Sequence, residues 1–529
     1  MAIDINRAKD RVRNTVPSKN NPLYNSHLYW SQKAYNICDI LIEELSEEGD
    51  IVYDPFLGSG VTLMEAVRDK YKRKAVGCEI NEAPVSIVKT LLSGLDMSSY
   101  QRDVASLMVR LKELENYYTT QCSSCGGTAI ITTVQFDLIN RDSQPDVKKI
   151  NYICPNCKRG SKKANTEDLE KMTKTQEVHN IVDEIMFENS KLAVYKDEKI
   201  QQIFTARNYV VIDKILGMIN DYPENCEVFR YVLMSILHLC KITDSHSNSQ
   251  WPLWIPKTGC VEKNVLEIFS KKLKKFEKTI SYVNDNYSNN MEYTILNKGS
   301  QFVTNMDIED ESISLIITDP PYMGQVAYSE YMQLYKPFLG YKYNLDDEII
   351  VTSAPGRKRT EEDYFEMLNQ VFKICSKKLK TGGYFCMYFH DANLSVWNRL
   401  IKCMGNNHFR YLSQEHIKKS NTLKNIISPK KSLSGDAILF FVKEEFHYKE
   451  YDPTESLDEI EANIAQHIKK TIISEGEKST PELYDEGLIE YLIYNDWLDA
   501  ISKKYKTLVD IFEKYLIWNP ETNKWYLAK

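Results

Sequence analysis

The sequence lacks any apolar run that approaches the roughly 20 residues of a membrane span. Its N-terminus, MAIDINRAKDRVRN, is charged and lacks the apolar core of a signal peptide. We therefore expect a cytoplasmic protein that has no membrane partner. Because that compartment is reducing, the 12 cysteines are not expected to form a disulfide framework.

The chain also lacks internal repeats, low-complexity tracts and an excess of basic residues. Its net charge is −7, whereas the footprint of a nucleic-acid-binding protein is usually basic. Two segments are nevertheless basic. The first, SKKLKKFEK at 270–278, is typical of a solvated helix face. The second, HIKKSNTLKNIISPKKSL at 416–433, is less periodic and indicates a loop that could contact phosphates through Lys430 and Lys431.

The hydrophobic pattern predicts a doubly wound α/β protein. Amphipathic helical patterns separate several apolar segments, which is the alternation expected of such a sheet. The five clearest strand candidates lie at 50–54, 74–80, 314–319, 382–390 and 436–443. Weaker candidates lie at 293–299 and 409–417.

The alternation is interrupted between about 99 and 290, which is too long for a connection inside a compact sheet. We interpret this stretch as an inserted domain that begins with a cysteine-bearing β segment and continues with long helices. The tail after 447 reads as a small helical domain. The predicted parts are therefore 1–98, 99–290, 291–447 and 448–529.

The segment DPFLGSG at 54–60 lies between a predicted strand and a predicted helix. Gly58 and Gly60 allow a sharp turn and a close approach of the backbone to a ligand. Open α/β sheets bind cofactors at the carboxyl ends of their strands, although tight turns of this kind also occur without a ligand. Glu79 ends the next strand, where an acid can accept hydrogen bonds from a ribose diol.

The dinucleotide fingerprint GxGxxG is absent, because DPFLGSGVT has no third glycine. A pyrophosphate needs a helix N-terminus rich in free amides. A cofactor without phosphates needs only the close approach and an acid for its ribose. S-adenosylmethionine meets that description.

The segment TDPPY at 318–322 closes the apolar run SISLII. A DPFxGxG motif followed by DPPY, both at strand ends, resembles the amino-methyltransferases of DNA. The resemblance covers about 22–98 and 291–447 and implies a seven-stranded, Rossmann-like methyltransferase sheet. It also implies S-adenosylmethionine as cofactor, bound by residues at strand ends and in the upstream segment NSHLYWSQKAYN. These residues are Lys33, Asp54, Pro55, Phe56, Gly58, Gly60, Glu79 and Asp319.

The resemblance gives the DPPY residues a catalytic role. The exocyclic amine of adenine is a poor nucleophile because its lone pair is delocalised into the ring. The Asp319 carboxylate and the Pro320 carbonyl can accept from its two N–H bonds, and the fixed φ of Pro320 and Pro321 preorganises that carbonyl. Tyr322 supplies a face for the base, which must be flipped out of the duplex. Asp at the first position favours adenine N6 over cytosine N4 without excluding cytosine.

One departure from the family concerns the cofactor's adenine. The family often carries a Gly-Asp pair shortly before the exit of the third strand, and its Asp touches that ring. This chain has KGSQFVTNM there. Ser300 or Gln301 would have to take that role.

Two CxxC pairs, CSSCGG at 122–127 and CPNCKRG at 154–160, predict a structural zinc site. Its ligands would be Cys122, Cys125, Cys154 and Cys157. The gap between the pairs exceeds the usual finger spacing, but the two strands predicted inside it match a zinc ribbon at about 118–160. Unrelated thiols or a redox pair are the alternatives. The combination resembles adenine-specific DNA methylases that contain a zinc ribbon, as do DPPYMGQVAYSEYMQLYKPFLG and EIIVTSAPGRKR.

The sequence thus predicts methylation of adenine N6 at specific sites in double-stranded DNA. A cognate restriction endonuclease or defence-system subunits are candidate partners. Three alternatives stay open: a cytosine N4 methyltransferase, an RNA base methyltransferase and a non-catalytic nucleic-acid-binding protein. The RNA enzymes usually carry an N-terminal RNA-binding domain, and only about 50 residues precede the first motif.

Overall fold

The computed structural model describes residues 3–245, 251–324, 326–389, 391–417, 430, 436–446, 448–449 and 456–527. The strands of this part are β1 (Ile51–Asp54), β2 (Lys74–Cys78), β3 (Thr119–Gln121), β4 (Thr128–Asp137), β5 (Asp146–Cys154), β6 (Lys158–Lys162), β7 (Thr243–Asp244), β8 (Cys260–Lys263), β9 (Tyr293–Leu296), β10 (Ile313–Thr318), β11 (Thr352–Ala354), β12 (Arg357–Arg359), β13 (Leu379–Phe389), β14 (Phe409–Ile417), β15 (Asp436–Lys443), β16 (Ile517–Asn519) and β17 (Lys524–Tyr526).

The helices of the described residues are α1 (Ile5–Asn14), α2 (Tyr35–Leu45), α3 (Val61–Ala66), α4 (Glu82–Leu91), α5 (Met97–Leu111), α6 (Thr166–Thr173), α7 (Ala206–Ile219), α8 (Cys226–Met234), α9 (Leu237–Cys240), α10 (Val265–Asn286), α11 (Tyr328–Tyr331), α12 (Lys336–Leu339), α13 (Glu361–Lys378), α14 (Leu394–Asn406), α15 (Leu457–Glu475), α16 (Thr480–Leu483), α17 (Ile489–Tyr494), α18 (Leu498–Lys504) and α19 (Leu508–Tyr515). None of them is long and apolar enough to cross a membrane.

A seven-stranded sheet organises the molecule in the order β14–β15–β13–β10–β1–β2–β9. The pairs from β13 through β9 are parallel, and β15 runs antiparallel to both of its neighbours. All seven strands correspond to the seven predicted apolar segments. The predicted doubly wound, seven-stranded α/β sheet is therefore confirmed.

Both faces of this sheet are buried, which is why its strands read as continuous apolar runs. Alternate residues of each strand enter different apolar clusters. Val52 and Leu315 belong to the first cluster, whereas Tyr53 and Ile316 belong to the second. Helix α13 shows how local sequence sets an element: Thr360 and Asp363 form a capping box at its start, and Lys377 and Lys378 lie in its last turn.

The residues between the two halves of this sheet form a second, antiparallel sheet in the order β6–β5–β4–β8–β7, with β3 paired to β4. Strands β3 to β6 contain the predicted ribbon. Strands β7 and β8 extend it and were not predicted. Helices α5, α7 and α8 each pack against α10, and Leu107, Tyr231 and Phe276 share the first apolar cluster with the large sheet.

The C-terminal helices α15 to α19 and the β16–β17 hairpin cover the other face. Ile460, Phe512 and Trp525 belong to the second apolar cluster together with Phe385 of β13. The division of the chain into four domains stays a prediction. Most of the basic segment 416–433, including Lys431, lies outside the described residues.

Candidate functional site

A cleft opens at the carboxyl ends of β1, β2 and β10 and encloses about 750 Å³ of empty space that is open to solvent. Parallel strands bring their ends to one edge of a sheet, so segments distant in the chain meet there. The predicted residues that line the cleft are Lys33, Pro55, Phe56, Gly58, Glu79, Asp319 and Pro321. The remaining four, Asp54, Gly60, Pro320 and Tyr322, lie next to them in the chain.

Asp54 is fully buried and joins three segments of the site. Its Oδ2 accepts from the Lys33 ammonium at 3.2 Å, and its Oδ1 accepts from the Phe56 N–H at 3.1 Å and the Thr318 hydroxyl at 2.7 Å. Burial alone would lower the pKa of Lys33, but the charges of Asp54 and Asp319 outweigh it and raise that pKa. Lys33 therefore stays cationic at the edge of the cleft.

The turn after β1 requires its two glycines. Gly58 has φ +54° and Gly60 has φ +84°, a region that side chains rarely adopt. A Cβ on Gly58 would lie 2.9 Å from the Tyr29 ring, and one on Gly60 would lie 2.2 Å from Val88 Cγ2. Both positions therefore require glycine, and Gly58 lines the cleft.

Glu79 is almost buried where the chain leaves β2. Its Oε2 accepts from the Gly58 N–H and its Oε1 from the Asn81 N–H, each at 3.0 Å. Burial raises the pKa of Glu79 to about 7, while the two backbone hydrogen bonds act in the opposite direction. Additional hydrogen-bond donors from a ligand would favour its ionised form.

The DPPY residues stand between two cavities. Asp319 and Pro321 line the cleft, whereas Pro320 and Tyr322 line a small neighbouring cavity. Phe365 and Phe389 contribute apolar walls to this second cavity. Successive residues of one short segment therefore alternate between the two spaces.

A family model described as DNA methylase (N6_N4_Mtase) matches residues 7–90 and 313–524. The chain belongs to this DNA methylase family. Both motifs fall inside the matched ranges, and the four paired cysteines fall outside them. No significant match was found among curated proteins. The methylase is thus a member of a DNA amino-methyltransferase family, whose chemistry implies S-adenosylmethionine.

Sequence reasoning missed part of the methylase's cleft. Asp347, Glu348 and Ile349 line it, although no motif marked them as contacts. Glu348 is buried, and it accepts from the Ser329 N–H at 3.0 Å and from Arg357 at 2.5 Å. The stretch EIIVTSAPGRKR had indicated family resemblance, but nothing in it showed that its start reaches the cleft.

The two residues considered for adenine contact both line the cleft and both make internal hydrogen bonds. The Ser300 hydroxyl donates to the Pro55 carbonyl. The Gln301 amide donates from Nε2 to the Asp347 carbonyl at 3.0 Å. These hydrogen bonds hold both side chains in the wall of the cleft and do not distinguish Ser300 from Gln301 as the contact for the cofactor's adenine.

The four paired cysteines come together at one end of the antiparallel sheet. Their Sγ atoms all lie within 4.8 Å of one another. The residue after each CxxC pair has a positive φ, +72° at Gly126 and +64° at Lys158, so the two turns match. Backbone N–H groups of Cys125 and Ser124 lower the pKa of Cys122 to about 6, which favours the thiolate. Four sulfur donors at this spacing could hold a zinc ion.

A basic groove, open to solvent, is connected to the cleft through the chain segment 27–33. His27 and Leu28 line the groove, and the same segment continues as Tyr29 to Lys33 along the cleft. Helix α10 contributes the ammonium-bearing side chains Lys271, Lys272 and Lys275. The basic face of α10, which the sequence pattern predicted to be a solvated helix face, therefore borders a groove.

The lysines of the described basic segments differ in their ion pairs. Lys271 pairs with Glu267. Burial, together with the charge of Lys275, lowers the pKa of Lys272 to about 8. Lys430, which was expected to contact phosphates, pairs with Glu513 at 2.7 Å and lies 5.2 Å from the centre of the Trp525 ring. Its charge is thus already compensated.

Proposed function

We propose that the methylase transfers a methyl group from S-adenosylmethionine to adenine N6 at specific sites in double-stranded DNA. The observation that carries the proposal is the position of Asp319 to Tyr322 between the cleft at the strand ends and a second cavity with aromatic walls. A role in restriction–modification or related defence, with a cognate endonuclease as partner, belongs to the same proposal.

The cleft suits a nucleoside cofactor without phosphates. Gly58 lines the cleft without a side chain, so a ligand can approach its backbone closely. Glu79 offers a carboxylate for ribose hydroxyls, and Lys33 offers a cation for the methionine carboxylate. When bound, S-adenosylmethionine supplies the methyl group on a sulfonium centre.

On the substrate side, the chain's own groups position the amine. The Asp319 carboxylate and the Pro320 carbonyl accept from the two N–H bonds of the flipped base and favour a more tetrahedral nitrogen. The neighbouring carbonyl does not compete, because Pro321 O accepts from the Tyr364 hydroxyl at 2.6 Å. Tyr322 stacks on the base, with Phe365 and Phe389 excluding water from the cavity.

Cytosine N4 is the second candidate substrate, since the same acceptors suit either amine. Sequencing that distinguishes N6-methyladenine from N4-methylcytosine, applied to DNA from cells that express the methylase, tests the assignment. A matched culture that expresses Asp319→Ala is the control. N4-methylcytosine alone would replace the proposed substrate, and absence of both marks would argue against DNA amino-methylation.

We further infer that Cys122, Cys125, Cys154 and Cys157 hold one structural zinc ion. The support is the donor set, four thiols within 4.8 Å on two matching turns. A structural site contributes folding free energy directly, so loss of the metal lowers stability. The alternative, a redox pair, predicts thiols that cycle without a metal.

The basic groove is our proposed path for the DNA backbone. Lys272 is a partly buried cation that donates to the Asn25 carbonyl at 3.4 Å and has a lowered pKa. A phosphate at this place would compensate its charge. Because residues 27–33 run from the groove to the cleft, backbone contacts there would lie beside the cofactor. The inserted residues 99–290, which carry α10, and the tail are our proposed sources of sequence specificity.

A further inference from the structure

Asp347 brings a carboxylate to the cleft from a loop that no cofactor motif includes. Its Oδ2 accepts from the Asn344 side-chain amide at 2.6 Å, and its own N–H donates to Asn344 Oδ1 at 3.0 Å. Within the described residues, Oδ1 of Asp347 has no hydrogen-bond donor. The Asp347 carboxylate is therefore fixed through Oδ2, and its Oδ1 can accept a hydrogen bond from a ligand.

The other carboxylates at the cleft either accept hydrogen bonds from the protein or belong to the DPPY segment. Both oxygens of Glu79 accept backbone N–H groups beside the glycine turn. Glu348 is held by Ser329 and Arg357. Asp319 also lines the cleft, but it begins the DPPY segment, whose Pro320 and Tyr322 line the second cavity. Unlike Glu79 and Glu348, Asp347 has one carboxylate oxygen that accepts no hydrogen bond within the described residues.

Asp347 also lies beside the apolar part of the cleft. Gln301, which follows β9, donates to its main-chain carbonyl at 3.0 Å and so fixes the loop against the end of that strand. Phe56 and Ile349 add apolar surface to the same cleft. A planar ring lying against such surface needs a polar group only at its edge.

We infer that the Asp347 carboxylate accepts a hydrogen bond from the 6-amino group of the cofactor's purine and so selects adenine over hypoxanthine. The inference rests on the proposed binding of S-adenosylmethionine. A carboxylate attracts an amine donor and repels the carbonyl oxygen that hypoxanthine carries at the same position. A charge-assisted hydrogen bond of this kind changes affinity by about ten- to hundredfold.

The test is calorimetric titration with S-adenosylhomocysteine and with S-inosylhomocysteine, so that no turnover is needed. The variants are Asp347→Asn and, as a matched control, Asp346→Asn at the exposed neighbouring position. In Asp347→Asn the amide oxygen can keep the contact with Asn344, while its NH₂ replaces the free oxygen and can donate to hypoxanthine. Melting curves verify that both variants are folded.

We expect the native methylase and Asp346→Asn to prefer the adenosyl ligand by about ten- to hundredfold, and Asp347→Asn to lose or reverse that preference. Equal affinity of the native protein for both ligands would overturn the inference, even if Asp347→Asn failed to fold. An unchanged preference in Asp347→Asn would also overturn it. Failure of the native protein to bind either ligand would instead count against the proposed function.

Discussion

Glu79 should make cofactor binding depend on pH. Burial raises the pKa of this carboxyl from 4.5 to about 7 in the cofactor-free protein. By linkage, that difference corresponds to about 3 kcal/mol. Because the folded-state pKa is raised, this stability is fully present below pH 4.5 and is lost as the pH rises through 7.

Ribose hydroxyls would donate to Glu79 and favour its ionised form, so the pKa should fall when the cofactor binds. Below about pH 7 the carboxyl must then release a proton on binding. The affinity should therefore rise by up to about tenfold per pH unit and become constant above that pH. Glu79→Gln should remove the slope and weaken binding at high pH by about ten- to hundredfold.

Calorimetry with S-adenosylhomocysteine from about pH 5.5 to about pH 8.5, in two buffers of different ionisation enthalpy, counts the protons released. The control is Glu65→Gln. Glu65 also has a pKa raised to about 7 by burial, but it contacts Tyr24 and Arg68 and does not line the cleft. Glu65→Gln should change the pH dependence of the free energy of unfolding and leave the pH dependence of S-adenosylhomocysteine affinity unchanged. A flat affinity in the native protein, or a slope retained in Glu79→Gln, would refute the reasoning.

Three further predictions concern the metal, the base and the DNA backbone. One equivalent of zinc should copurify with the methylase, and Cys154→Ser should lose it and melt at a lower temperature; metal-free native protein with unchanged melting of the variant would contradict this. Tyr322→Ala should lower kcat/KM by about ten- to hundredfold and Tyr322→Phe much less, whereas full turnover in folded Tyr322→Ala would end the stacking proposal. Lys272→Ala should reduce the slope of log affinity for duplex DNA against log salt concentration by about one. Lys430→Ala should leave that slope nearly unchanged, because the Lys430 ammonium is already paired with Glu513. Equal slopes in the native protein and both variants would count against the groove as the path of the DNA backbone.

The large sheet was predictable because both of its faces are buried. Each strand is then a short apolar run whose bounds can be read without knowing its neighbours. The predicted strand 436–443 has its expected bounds in the structure, and the one at 382–390 begins earlier, at Leu379. The two motifs were visible because they follow such runs directly.

The rest of the site depends on contacts between distant segments. Asp347 reaches the cleft because Gln301 and Asn344 hold its loop, and Glu348 because Arg357 binds it. No local pattern specifies those contacts. The same limit applies to Lys430, whose acidic partner lies more than 80 residues further along the chain. The short strands β7 and β8 were missed because they are extended only through pairing with β4 and each other.

The connectivity of the large sheet also sets an order of events during synthesis. Strand β1 pairs with β10, whose residues are added roughly 260 positions later. At about 5–20 residues per second, the ribosome needs about 13 to 50 s to make that partner. The antiparallel sheet with the cysteine turns and the surrounding helices emerges within this interval and pairs mostly with itself. Meanwhile β1 and β2 keep apolar edges exposed, so chaperone binding to the nascent chain should matter most before residue 318 has left the ribosome.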